Sequence, residues 1–142
     1  MLVRLLYASR AVHPISTELI ESILTRSRER NPDLGITGLL CYGVDVFLQV
    51  LEGGRREVSN LYNGIARDPR HRDVQILHFE EIAERRFSGW TMGQVNLSKV
   101  NRSTLIKYSE RPELDPFIVG GRASLSLLEE LIATAAIVGR PC

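Results

Sequence analysis

Residues 35–54 read GITGLLCYGVDVFLQVLEGG, and this stretch decides the fold. Two apolar runs, Gly35 to Tyr42 and Val46 to Leu51, have the length and composition of strands. The link between them, Gly43-Val44-Asp45, is short enough for a hairpin. Gly53-Gly54 is expected to break the second run.

Outward from this hairpin the pattern is the same on both sides. Upstream, Leu2 to Ala8 reads as a buried strand with Arg4 as its polar interruption. Ser16 then stands as an N-cap, with Ile15 and Ile20 placed as a hydrophobic staple. Leu19, Ile20, Ile23 and Leu24 follow at helical spacing, opposite Glu21, Arg26 and Arg28. Asn31-Pro32 is expected to end this helix, because a residue before proline is driven out of the helical region. Downstream, a second amphipathic helix runs from Arg56 to Arg67 and stops at Asp68-Pro69. Val74 to Phe79 is a fourth strand and Gly89 to Val95 a fifth. The order β-α-β-β-α-β plus one strand is the split-βαβ pattern. The expected fold class is therefore α+β: a ferredoxin-like, mainly antiparallel sheet with both helices on one face. After Leu97 the character changes. Ser103 to Tyr108 and Ser124 to Ile137 read as helices joined by a turn-rich link, Arg111 to Gly121. The expected division is a first domain over 1–96 and a C-terminal helical cap over 97–142, whose last helix can cover the open sheet face or pair with another copy of the chain.

Composition narrows the class. The 142 residues are 44% hydrophobic and 25% charged, with a net charge of +1. Nothing in that balance favours nucleic acid or an anionic membrane. Two cysteines, Cys41 in an apolar run and Cys142 at the very end, suggest neither a disulfide framework nor a metal site. They suit a reducing cytoplasm. No secretory leader is evident, and no apolar run approaches the roughly 20 residues that span a bilayer.

The candidate site is a set of scattered residues: Tyr7, Asn31, Gln49, Trp90 and Met92. A phenol, two carboxamides, an indole and a thioether include no strong base and no activated nucleophile. They suit hydrogen bonding to a planar heterocycle and the movement of one electron. Tyr7 alone reads as a core tyrosine. Gln49, interrupting an apolar strand, would sit beside it if the first and third strands are neighbours. A buried carboxamide costs about 1–3 kcal/mol for each valence left empty. Asn31 is either a helix terminator or a reader of a ligand edge, with Arg30 beside it. Asp68, Arg70 and His71 form either a solvated turn or the mouth of a pocket, where an arginine fork suits phosphate. Trp90 and Met92 alternate about Thr91, so on a strand they would share a face. Other chemistries find no footing. His13, His71 and His78 lack metal-ligand spacing, and no nucleotide-binding or hydrolase fingerprint is present. Glu80-Glu81 should face opposite ways and be solvated.

In their surroundings, RLLYASR, RNPDLGITGLLCYG, VFLQVLEGG, RDPRHRDV and RRFSGWTMG, these residues closely resemble the BLUF family of flavin-using blue-light sensors. The resemblance runs from Leu2 to Gly93. It implies a flavin held non-covalently between the two helices, FAD first, with FMN or riboflavin as alternatives. It implies that Tyr7 is the electron and proton donor, Gln49 the hydrogen-bond switch, and Asn31 a binder of the ring edge. Trp90 and Met92 would relay the change into the fifth strand, and Arg30, Asp68, Arg70 and His71 would stand near the pocket mouth. Gly64 stands where some members carry a basic residue near the phosphates, which bears on the choice of flavin. With no effector domain following, the resemblance implies a short stand-alone sensor, not an enzyme, that signals to a separate protein. The competing readings are a cofactor-free ferredoxin-like regulatory or dimerisation module and a small flavoenzyme.

Overall fold

The computed structural model describes residues 1–134 and 137–138. Five strands form one sheet: β1 (Leu2–Ala11), β2 (Thr37–Tyr42), β3 (Val46–Gly54), β4 (His71–Ile82) and β5 (Gly93–Asn96). Their spatial order is β4-β1-β3-β2-β5, antiparallel except for the parallel β2–β5 pair. As expected, β1 and β3 are adjacent and interior, and Tyr7 lies directly opposite Gln49. Helices α1 (Thr17–Leu34) and α2 (Arg55–Arg67) pack on one face through Ile20, Leu24 and Val58, against Val3, Leu5, Phe47 and Leu51.

The Ser16 cap forms, its Oγ accepting from the Leu19 N–H at 3.1 Å. Helix α1, however, does not end at Asn31-Pro32. Proline forfeits one intrahelical bond, and the turn closes three residues later at Gly35, φ 68°, whose N–H reaches the carbonyls of Asn31 and Pro32. That left-handed glycine is the true stop. Gly53-Gly54 does not break β3 either, because both residues pair with β1, at Val3 and Leu2.

The other sheet face is covered by α4 (Pro116–Leu131), which lies across β1 and β4. Leu127, Leu128 and Leu131 meet Leu6, Ala8, Leu48 and Val50. This helix starts eight residues earlier than the sequence suggested, at the Asp115 cap, with a kink at Gly120 (φ 80°) inside the stretch expected to be a link. Its expected continuation to Ile137 fails after Leu131, and Val138 bridges Gln94 of β5 instead. Positions 135–136 and Cys142 lie outside the described residues. A short α3 (Arg102–Leu105) replaces the longer helix expected over Ser103 to Tyr108.

Arg4 and Glu52 explain two charges inside the sheet. Arg4 Nε donates to the fully buried Glu52 carboxylate at 2.8 Å. The same carboxylate accepts from the Phe87 N–H at 2.7 Å and the Arg86 N–H at 3.1 Å, so it pins the loop leading to Trp90. Glu80 and Glu81 do diverge, but each takes a partner, Arg4 and Arg55 respectively, and neither is simply solvated.

Candidate functional site

Between α1 and α2 lies a cleft of about 670 Å³. It is within the usual size of small-molecule sites, roughly 300–1,000 Å³. Tyr7, Leu40 and Gln49 line it from the sheet. Arg30 and Asn31 line it from α1, Asp68 and Arg70 from the turn that follows α2, and His71 from the start of β4. All seven residues that the resemblance places around a flavin therefore meet in one cavity.

At its base the Tyr7 hydroxyl donates to Gln49 Oε1 at 2.5 Å. Gln49 Nε2 in turn donates to the Met92 sulfur at 3.3 Å. A thioether is a weak acceptor, so the amino group of this buried glutamine is poorly served by protein alone. Burial pushes the Tyr7 phenol far up, helped by the neighbouring Tyr62 and Asp68. The phenol is therefore neutral at any physiological pH. Tyr62 of α2 stands edge-on to Tyr7 with ring centroids 5.8 Å apart.

Asn31 is 2% exposed and has two jobs. Its backbone carbonyl closes α1, and its Nδ2 donates to the Thr91 carbonyl at 3.4 Å. At the mouth, Asp68 accepts from the Arg70 backbone N–H at 2.9 Å and from its guanidinium at 2.6–3.0 Å. Those hydrogen bonds hold the Asp68 carboxyl below its ordinary range. Arg70 is thus largely closed on its own turn, which leaves little of its fork for phosphate. His71 Nδ1 lies 2.7 Å from the Oγ of Ser9. Burial lowers its pKa, an effect partly offset by Asp68.

Trp90 and Met92 do not share a face. Met92 is buried beside Gln49 in the core under α1 and α2, whereas Trp90 packs against the opposite core, under α4. The reason is that β5 begins only at Gly93. Residues 91–92 form a bend, and two-residue alternation does not pass through a bend. Arg28 was also missed: its Nη2 donates to the Met92 carbonyl at 3.4 Å. Its spacing of three from Asn31 was the only available signal.

Comparison with known proteins accords with this geometry. The family described as sensors of blue light using FAD, BLUF, matches residues 2–93. The photoactivated adenylate cyclase subunit beta of Euglena longa is 40% identical over 92 residues, which are 64% of this chain and 11% of that protein. The blue light- and temperature-regulated antirepressor BluF of Escherichia coli (strain K12) is 32% identical over 87 residues, 61% of this chain and 22% of that protein. Among solved structures, the photo-activated state of BlsA superposes with a TM-score of 0.81 at 29% identity, covering 96% of this chain and 98% of that one. The dark state of BlrB, a BLUF protein, gives 0.74 at 34% identity, covering 93% and 95%. The chain belongs to the BLUF family of flavin-dependent blue-light sensors. It spans only 11% of the first cyclase's length.

The residues present fit such a group. The cleft is walled by two helices, floored by an aromatic ring, and edged by carboxamides that offer both donors and acceptors. Among the described residues no helix is long and apolar enough to cross a membrane, and no cluster of side chains could hold a metal ion.

Proposed function

We propose that the Tyr7–Gln49 pair is the light switch of this sensor, and that its state is read out through Met92. The observation that carries this is the continuous buried chain Tyr7 Oη, Gln49 carboxamide, Met92 sulfur at the base of the cleft. When bound, the flavin supplies blue-light absorption and, once excited, an acceptor for one electron. Tyr7 is the donor. Loss of an electron makes a phenolic proton strongly acidic, and the Tyr7 proton already points at Gln49 Oε1. The carboxamide then rotates or tautomerises, which exchanges a donor for an acceptor at both of its ends. In a buried site such mispairing costs about 1–3 kcal/mol. That is enough to bias a two-state element.

Asn31 holds the ring edge, with Arg30 and His71 near the mouth and Arg70 oriented by Asp68. FAD is the proposed cofactor. With Gly64 on α2 and Arg70 occupied by Asp68, the protein contacts to a phosphate chain are few, so FMN and riboflavin should enter as well. Residues 1–96 hold the flavin and 97–142 carry the output to a separate partner protein in the cytoplasm. The role is sensing without catalysis: the polar side chains at the base of the cleft pair with one another, Tyr7 with Gln49 and Gln49 with Met92, which suits a hydrogen-bond switch.

The test is an absorption spectrum of the purified protein before and after blue light. A yellow protein with a small red shift that reverts in the dark, with no substrate added, is expected. A colourless protein that takes up no flavin would favour a cofactor-free module. A flavin that is bleached only when a substrate is present would favour an enzyme.

A further inference from the structure

Arg28 is a partly buried cation without a counter-ion among the described residues. Its neighbours Arg26 and Arg30 on α1 are exposed at the cleft. Arg28 instead turns inward under the 90–92 segment. Its described acceptor is the Met92 carbonyl, and its Nε is sealed from solvent with no hydrogen-bond partner among the described residues. A guanidinium partly withdrawn from water, with one N–H sealed and unpaired and no carboxylate beside it, is costly to keep, so this placement calls for a role. Arg28 does not line the cleft.

Three successive carbonyls are held in this bend. The Gly38 N–H donates to Trp90 O at 3.1 Å, Asn31 to Thr91 O and Arg28 to Met92 O, both at 3.4 Å. Of the three donors, only Arg28 engages the residue whose side chain meets Gln49. Fixing the carbonyl of Met92 restricts the backbone from which its thioether projects. At 3.4 Å the bond is long and weak, which suits a bias and not a lock.

We infer that Arg28 is a positioning residue of the light switch: it holds the Met92 backbone so that the thioether stays against Gln49 in the state described here. This rests on the Tyr7–Gln49 switch proposed above. When the Gln49 carboxamide turns, an oxygen replaces the N–H that faced the sulfur, and two lone-pair atoms confront each other. The side chain of Met92 then has reason to leave, and its retention depends on the backbone donors. The unpartnered Nε gives Arg28 a second donor with which to follow the Met92 carbonyl as it shifts and to draw it back.

The test uses the full chain with flavin bound, as wild type, Arg28→Met and Arg28→Lys. Initial red shift, dark-recovery rate and hydrogen exchange of residues 90–96 are measured. Arg28→Met keeps the stem and removes every donor. It should give a red shift of normal size, because Arg28 does not line the cleft. Dark recovery should slow about threefold or more, as for loss of one weak hydrogen bond to the dark state, and residues 90–96 should exchange faster in the dark. Arg28→Lys restores one donor and should lie between Arg28→Met and wild type. Wild-type recovery and wild-type exchange in Arg28→Met would overturn the inference, and so would loss of flavin, which would place Arg28 in the cleft. If the wild type itself shows no red shift, the switch proposal fails, and dark exchange at 90–96 alone still decides whether Arg28 holds Met92. Should Arg28→Met fail to fold, unchanged recovery and exchange in Arg28→Lys would count against the role.

Discussion

Replacing Tyr7 by phenylalanine removes one oxygen from the base of the cleft and leaves the ring in place. Gln49 Oε1 then loses the donor it meets at 2.5 Å. A buried acceptor left unpaired costs about 1–3 kcal/mol. For a chain of 142 residues that is a fall in melting temperature of roughly 3–9 °C, at about 3 °C per kcal/mol. A second signature comes from pH. Burial raises the Tyr7 pKa above the ordinary value of 10.0. Above that pH the unfolded chain releases the phenolic proton while the folded one keeps it. The folded state then binds more protons, so stability falls as pH rises through and beyond 10.0. Tyr7→Phe should flatten that alkaline decline, while Tyr62, also raised by burial, is common to both proteins. The assay is thermal melting at saturating flavin, at neutral and strongly alkaline pH, alongside the light-induced spectrum. The variant should melt lower at neutral pH, lose less on going alkaline, and show no normal photocycle. An unchanged melting temperature with a wild-type alkaline slope and an intact red shift would mean that the Tyr7 hydroxyl neither pairs Gln49 nor drives the photocycle.

Other consequences follow from the same contacts. Glu52→Ala leaves Arg4 with Glu80 as its one carboxylate partner and strands the buried N–H groups of Arg86 and Phe87, so urea unfolding should show a loss of about 2–4 kcal/mol; a loss under about 1 kcal/mol would mean the carboxylate is not the anchor of that loop. The half-buried His71 resists protonation that the unfolded chain accepts below its ordinary pKa of 6.5, so stability should decline as pH drops through that value. His71→Gln should lessen this decline, and identical acid slopes would count against it. Met92→Ala should keep most of the red shift yet diminish any light–dark difference in hydrogen exchange across residues 89–108. If wild type shows no such difference, output does not pass through β5, and β1, on which α4 lies, becomes the better route.

The hairpin over 35–54 and the two flanking helices were legible because alternation, caps and turn residues agree there at every level. The pairing of Tyr7 with Gln49 followed once β1 and β3 were placed side by side. Trp90 and Met92 read as sharing a face because their two-residue spacing looks the same on a strand and in a bend, and only the parallel pairing of β5 with β2 shows where the strand begins. The end of α1 was masked by Pro32, a stronger local signal than the Gly35 that closes the helix. The start of α4 was hidden for a similar reason: Pro116 and Gly120-Gly121 look like a linker, yet the proline occupies the first turn and the glycine absorbs a kink. Arg28 carried only its spacing of three from Asn31 as a signal, and an arginine on a polar helix face ordinarily points to water.

The central claim is that the Gln49 carboxamide is the switch, and Gln49→Leu tests it most directly. Leucine has similar bulk and neither donor nor acceptor, so the cleft stays filled while the Tyr7 and Met92 contacts vanish. Blue-light-minus-dark absorption of the flavin-loaded variant is the measurement. Bound flavin with no red shift is expected. A red shift of wild-type size would contradict it and remove Gln49 from the mechanism.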